Sequence, residues 1–436
     1  MIEIKDKVKY FLKDNEMYYE DIDMDVCCDI FVHEMQAGLE GKDSSLAMIP
    51  TYIEVGKKIP AGKSVIVLDA GGTNFRIAAV YFDEIGKPVI KNFIQKPMPG
   101  LDKETSKEEF FETIVKYMAG VVNISSRVSF CFSYPTEILP SKDGRLIRFC
   151  KEVKAKQVEG ELIGENLVTA IEAAGYEGAK RIVILNDTVA TLLAGISAFP
   201  NRVFESYIGF ILGTGSNCCY IESNRNIRKR ADLEPNREQV VNVESGSFGK
   251  APRGKIDLKL DELTIDPGSY TFEKMFSGGY LGSLCLKTLW EAGGQGLFSQ
   301  KVTEELLAIK DFETKDVNSF MRFPQGNSPL AVICKKGNQQ DCAAVWYVLD
   351  ALIARAAKFT AILLASTVLK TDKGKNPYTP VCITAEGTTF YELKSLKTKV
   401  EFYLKSFLEE KHNRFFEIVS VENATLIGAA IAGLTN

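Results

Sequence analysis

Apolar residues recur at helical spacing at the start of this chain and at strand spacing further on. Residues 3–13 and 24–37 read as amphipathic helices; in the second, Ile30, Phe31 and Met35 share one face and Gly38 is predicted to stop it. Past the turn cluster Pro60-Ala61-Gly62 the pattern changes to sheet. Residues 64–81 read as strand, glycine turn, strand, which is a hairpin, and the pattern returns at 207–221. Two such hairpins predict a duplicated architecture with a nucleotide clamped between the halves. Between them, 108–118 predicts a helix, 128–133 a strand, and 162–174 a helix stopped by Gly175. Residues 62–186 therefore alternate strand and helix as one α/β domain would.

The pattern pivots at 181–195. A β-branched run at 182–185 predicts a buried strand, and Val189, Leu192 and Leu193 then recur at helical spacing. Strand turns into helix at Asn186-Asp187-Thr188, placing polar side chains at a strand's carboxyl edge beside a helix N-terminus that favours an anion. Taken alone, Asp187 or Thr188 reads as a helix cap. Further on, 223–238 is dense in both charge signs and predicts a solvated loop. Residues 340–370 predict one long core helix, 381–384 a strand, and 424–434 an Ala/Gly-rich helix packed closely on a neighbour.

Composition narrows the chemistry. The chain has 436 residues, enough for two or three domains, and a net charge of −4 with no long basic run, so it predicts neither a nucleic-acid surface nor an anionic membrane patch. Its 10 cysteines are scattered, include the adjacent pairs Cys27-Cys28 and Cys218-Cys219, and never form C-x-x-C, which predicts reduced thiols in a cytoplasmic protein. The opening segment lacks the apolar core of a signal peptide, and the apolar runs 359–369 and 424–434 fall short of the ~18 residues of a membrane span. Only His33 and His412 are present, so a serine triad or an imidazole zinc site would rest on one isolated histidine. Carboxylates, hydroxyls, lysine and backbone remain.

Both glycine turns, Gly71-Gly72-Thr73 and Gly213-Thr214-Gly215, offer backbone N–H groups and a hydroxyl to phosphate oxygens. Neither is a P-loop and neither opens a helix as a dinucleotide fingerprint must. Glu244 and Glu273 stand among small residues where a ligand can approach.

The motifs 68–76 (Leu-Asp-Ala-Gly-Gly-Thr-Asn-Phe-Arg), 132–135, 185–192, 212–217 and 242–249 occur in an order that resembles the eukaryotic-type hexokinase and glucokinase family, within the sugar kinase, Hsp70 and actin class. The resemblance runs from about Phe31 to the last helix. It implies a two-domain, duplicated ribonuclease-H-like α/β fold with the active site in the interdomain cleft: a small domain of 62–186 plus 424–436, and a large one of 1–61 plus 187–423. It implies sugar contacts at Ser133, Tyr134, Cys150, Lys151, Asn186, Asp187, Asn242, Glu244 and Glu273, with Asp187 as general base and Lys151 assisting catalysis. Nucleotide contacts are implied at Asp69, Gly71, Gly72, Thr73, Asn74, Arg76, Gly213, Thr214, Gly215, Gly278, Thr314, Gly387 and Thr388. ATP and Mg²⁺ are the implied cofactors, Mg²⁺ arriving with the nucleotide and reaching Asp69 through water, with no protein metal site. The implied partners are a hexose and ATP, for a monomer or homodimer.

The chain departs from the family pattern at Cys150 (usually Thr), Glu152 (Gly), Ser245 (Trp) and 385–389 (an Asp-Gly-Ser loop). The physical reading agrees with the resemblance, since a polyhydroxyl ligand needs carboxylates and amides, and phosphoryl transfer needs positioning and charge neutralisation. Two other readings are a non-catalytic sugar-sensing protein of the same fold and an actin- or Hsp70-like ATPase. The first would lack the base or the phosphate turns, and the second has no reason to carry the sugar set.

Overall fold

The computed structural model describes residues 2–72, 74–149, 153–177 and 180–436. The two glycine hairpins occupy equivalent places in two sheets. In the five-stranded sheet the order is Pro88–Pro97, Asn74–Phe82, Val65–Ala70, Arg127–Phe132, Arg181–Leu185. The first three strands are antiparallel and the last two add in parallel. The six-stranded sheet repeats this order with Glu238–Asn242, Ser216–Ser223, Ser206–Leu212, Val381–Glu386 and Phe416–Val419, and adds the short strand Ile49–Pro50 at its edge. The duplication expected from two hairpins is thus a duplication of whole sheets. Every residue of Val65–Ala70 is buried, as suits a strand covered on both faces.

Two helices join the halves by exchange. Asp187–Ala198 follows the edge strand Arg181–Leu185 of one sheet but packs on Ser206–Leu212 and Val381–Glu386 of the other. Ala424–Thr435 follows Phe416–Val419 and packs back on Arg127–Phe132 and Val65–Ala70. The helices cross with almost no separation, since a Cβ on Gly428 would lie 1.7 Å from the Ala190 carbonyl oxygen. Asp187–Ala198 also lies close on the strand Ser206–Leu212, where a Cβ on Gly209 would lie 2.1 Å from the Thr188 carbonyl oxygen. Leu185, Val189, Leu193, Ala429 and Ile431 belong to the one core that fills this seam.

Behind the six-stranded sheet runs Gln339–Thr371, begun by a capping box in which Asn338 accepts from the Asp341 N–H at 3.1 Å and Asp341 accepts from the Asn338 N–H at 2.9 Å. By length and composition this helix could cross a membrane, but 89% of its apolar window is buried in protein. Two expectations change. The second helix runs Met24–Glu40, straight through Gly38, and ends at Gly41, whose φ of 72° is the left-handed C-cap. Gly38 has no side chain because a Cβ would lie 2.5 Å from the Leu46 carbonyl oxygen, so it marks a close approach and not a stop. The charged stretch 223–238 is not wholly solvated: it opens with the turn Asn224–Asn226 and buries Ile227.

Candidate active site

The carboxyl ends of the strands and the exchanged helices meet around Asn186 and Asp187. Asn186 is the N-cap, its Oδ1 accepting from the Thr188 N–H at 2.9 Å and the Thr188 hydroxyl at 2.6 Å. Asp187 is the first helical residue, half-buried, and its Oδ1 also accepts from the Thr188 N–H at 2.9 Å. Capping therefore falls to Asn186, and the Asp187 carboxylate faces the positive end of the helix macrodipole.

Opposite stands a cluster of carboxamides around a carboxylate. Glu244 has a left-handed backbone, φ 58° and ψ 48°, which is uncommon for a residue with a side chain. Its Oε1 accepts from Asn242 Nδ2 at 2.8 Å and from Asn217 Nδ2 at 3.0 Å. Asn217 also donates to Asn242 Oδ1 at 2.8 Å, while its own Oδ1 accepts from the N–H groups of Cys218 at 2.8 Å and Ser245 at 3.2 Å. Ser245, where the resemblance leads one to expect Trp, is wholly buried beneath this cluster. Burial pushes the Glu244 carboxyl above the usual carboxylate range; the two carboxamides oppose this and the Asp187 charge adds to it, so Asp187 and Glu244 feel each other.

Glu273 completes the group. Its Oε2 accepts from the Ser216 N–H at 3.0 Å, and it would lie within 2.9 Å of a Cβ on Gly215 and 3.0 Å of one on Gly246. Those glycines leave room for a carboxylate. Tyr134, Asn186, Asn242 and Glu244 line one cavity of about 10 Å³, room for a single water. The segment after strand Arg127–Phe132 is docked on the first glycine turn: the Ser133 N–H donates to the Ala70 carbonyl at 3.2 Å and the Tyr134 hydroxyl to that of Gly71 at 3.1 Å. Cys150, Lys151 and Thr73 lie outside the described residues.

Asp69, buried at the end of its strand, faces Arg76 across the hairpin and pairs with it, and it accepts from the Thr425 hydroxyl at 2.9 Å. Burial pushes its carboxyl up and Arg76 opposes the shift. The Gly71 N–H closes the turn on the Asn74 carbonyl at 3.0 Å, past Gly72. Asn74 Oδ1 accepts from Gln95 at 3.0 Å.

The second turn is held by two separate segments, 278–279 and 387–389. The Gly213 carbonyl accepts from the Gly278 N–H at 2.8 Å and the Thr389 hydroxyl at 2.9 Å, and the Thr214 carbonyl accepts from the Gly279 N–H at 2.9 Å. The Thr314 hydroxyl donates to the Gly278 carbonyl at 2.7 Å and accepts from the Gly282 N–H at 3.0 Å. Gly387 has φ 112°, and a Cβ there would lie 2.2 Å from the Leu212 carbonyl oxygen. Thr388 begins the next helix and is exposed, as is Thr214.

Among the described residues the structure thus gathers the candidate set into two neighbouring groups, one of acceptors around Asp187 and one of backbone turns. Sequence reasoning missed Asn217, Thr389, Thr425 and Glu386. The Glu386 carboxyl is pushed up by burial and held back by Arg76, which sets it, on the six-stranded sheet, facing the Asp69–Arg76 pair of the other. Asn217 ends a motif already noticed, so its side-chain type was the available signal. Thr425 sits in an Ala/Gly-rich helix that carries none.

Two family models, both described as hexokinase, match residues 9–197 and 207–435. Hexokinase-1 of Pongo abelii is 29% identical over 371 residues, covering 79% of this chain and 39% of its own length. Hexokinase-1 of Schizosaccharomyces pombe is 28% identical over 426 residues, covering 92% of this chain and 85% of its own length. The chain therefore spans well under half of the first relative and most of the second. A solved hexokinase from Schistosoma mansoni complexed with glucose has the same fold, with a TM-score of 0.80 at 22% identity over 100% of this chain and 99% of that one.

Proposed function

Because the chain belongs to the hexokinase family, we propose that it is an ATP-dependent hexokinase, transferring the γ-phosphoryl group of Mg-ATP to the 6-hydroxyl of glucose or a related hexose. One observation carries this reading: Glu244, gathered with Asn217 and Asn242, faces Asp187 at a helix start, beside a glycine turn whose backbone is held rigid from outside. Acceptors around a carboxylate suit a ligand with several hydroxyls, because an analogue lacking one leaves a buried polar group unpaired.

In this reading Asn242, Glu244 and Glu273 hold the hexose hydroxyls, with Asn186 and Ser133 at the rim. Asp187 accepts the proton of the 6-hydroxyl on its carboxylate as that oxygen attacks. The two glycine turns suit a triphosphate chain, because glycine lets backbone approach phosphate oxygens closely. Bound Mg-ATP would supply the transferred group and neutralise the charge on its oxygens. Residues 62–186 with 424–436 would close on the remainder and exclude water, a smaller competitor than the sugar.

A coupled assay of ADP release with Mg-ATP, run with glucose, mannose, fructose and no sugar, tests the proposal. Turnover that requires a hexose is the expected result. Hexose binding without turnover would leave a sugar-binding protein, and equal ATPase rates with and without sugar would refute the kinase reading.

A further inference from the structure

On the hexokinase reading, Lys151 and Glu273 both serve the hexose, and a contact joins the described residues before Lys151 to the loop before Glu273. Arg148 lies three residues before Lys151. Its Nη2 is 3.8 Å from Asp266 Oδ2, and its guanidinium carbon is 5.2 Å from the centroid of the Tyr270 ring. The flanking residues belong to different cores: Leu146 and Phe149 pack with the five-stranded sheet, Phe272 and Met275 with the six-stranded one.

Asp266 is fastened in turn to the residue next to Glu273. Lys274, 4% exposed, binds Asp266 Oδ1 at 3.2 Å and the Asp266 carbonyl at 2.8 Å, together with Asp261 Oδ1 at 2.7 Å and Thr264 Oγ1 at 2.8 Å. A buried ammonium with four oxygen partners makes the loop 261–274 a rigid unit. Whatever holds Arg148 to Asp266 thereby fixes the segment before Lys151 relative to Glu273. Tyr270, the other surface under Arg148, has φ 51°, a conformation that the surrounding loop must impose on a residue with a side chain.

We propose that Arg148 is a positioning residue for the hexose site: it latches the segment before Lys151 to the loop before Glu273 and so favours the closed cleft that a hexose requires. The proposal rests on the hexokinase reading. It acts on binding, since the latch favours the closed state before any chemistry begins, and hexose affinity scales with the fraction of molecules that can close. The contact is also separable. Asp266 keeps Lys274 when Arg148 is replaced, so the loop retains its internal bonds.

The test compares wild type with Arg148→Gln and Arg148→Lys, reading hexose affinity by calorimetry, steady-state kinetics, and the ligand-free radius of gyration by small-angle scattering. A partly exposed ion pair together with a cation–π contact predicts a loss of about 3- to 10-fold in hexose affinity and KM for Arg148→Gln, with kcat within about 2-fold. Arg148→Lys, which keeps the charge without the flat stacking surface, falls between. Raising salt from about 0.05 to about 0.5 M weakens hexose binding in wild type more than in Arg148→Gln, and the ligand-free variant is the more expanded. Unchanged affinity and radius overturn the latch, and so does a fall in kcat at constant KM. If wild type binds no hexose, the functional reading fails separately; the radius then decides the latch, equal radii refuting it and an expanded variant sustaining it.

Discussion

Replacing Gly428 by Ala sets two effects of opposite sign against each other. Helix propensity alone favours Ala over Gly inside Ala424–Thr435 by about 1 kcal/mol. Packing opposes it. The new Cβ would lie 1.7 Å from the Ala190 carbonyl oxygen, 2.4 Å from its carbon and 2.7 Å from Ala190 Cα, all backbone atoms of a helix that no rotamer change can move. A carbon–oxygen contact needs about 3.3 Å, so the helices must part by about 1.5 Å. That separation opens the seam shared by Val189, Leu193, Ala429 and Ile431 and draws the Thr425 hydroxyl from Asp69. Overpacking of this kind costs about 1–3 kcal/mol where side chains can yield, and backbone puts it at the upper end, so the net loss is about 2 kcal/mol or more. Urea unfolding should show a lower midpoint for Gly428→Ala at unchanged slope. Gly294→Ala is the control: Gly294 ends Leu281–Gly294 with nothing within 4 Å of its Cβ, and the change should be neutral or stabilising. Equal midpoints for Gly428→Ala and wild type would refute the idea that this crossing sets the distance between the sheets.

Asn217→Ala removes a donor from Glu244 and Asn242 and leaves the Cys218 and Ser245 N–H groups without that acceptor. Hexose KM should rise about 10- to 100-fold, as for lost hydrogen bonds to a charged group, and an unchanged KM in the coupled assay would remove Asn217 from the site. Glu244 has a second, pH-dependent signature. With its folded-state pKa raised, the native protein takes up this proton more readily than the unfolded chain, so Glu244 detracts from stability at neutral pH, and the deficit disappears as pH falls through the raised value toward 4.5. Glu244→Gln should therefore melt higher than wild type at pH 7, with the gap narrowing in acid, while binding hexose more weakly. A gap that widens in acid would show the sign to be wrong. Hexose affinity of wild type should begin to fall at a pH above the ordinary carboxylate range.

Much of the framework was legible because hairpins and buried parallel strands write themselves in local pattern. Residues 64–81 and 207–221 announced a repeat, and the structure extends it to five strands in the same order on each side. Helix ends were less legible. Gly38 reads as a stop when only the chain is in view, since its constraint comes from Leu46 and Met48 folding back over it. The exchange of helices between sheets has no local signature either, because Ala424–Thr435 is defined by the sheet it packs on and not by the strand it follows. At the site, carboxylates among glycines were visible as isolated signals. What sequence could not give was the closure of the network: Asn217 links Asn242 to Glu244 across strands, Thr425 reaches Asp69 over a separation of 356 positions, and Thr389 pins Gly213 from 176 positions away.

The account turns on Asp187, and one variant isolates it. In Asp187→Ala the Thr188 N–H keeps Asn186 Oδ1 as its acceptor, so the helix stays capped and the cluster around Glu244 keeps its bonds. Turnover with saturating Mg-ATP and glucose, measured beside glucose affinity on the same preparation, should fall by about 10²- to 10⁴-fold while the dissociation constant stays within about 3-fold, because a general base acts mainly in the transition state. Near-normal turnover in Asp187→Ala would contradict the account and leave Asp187 as part of a helix start.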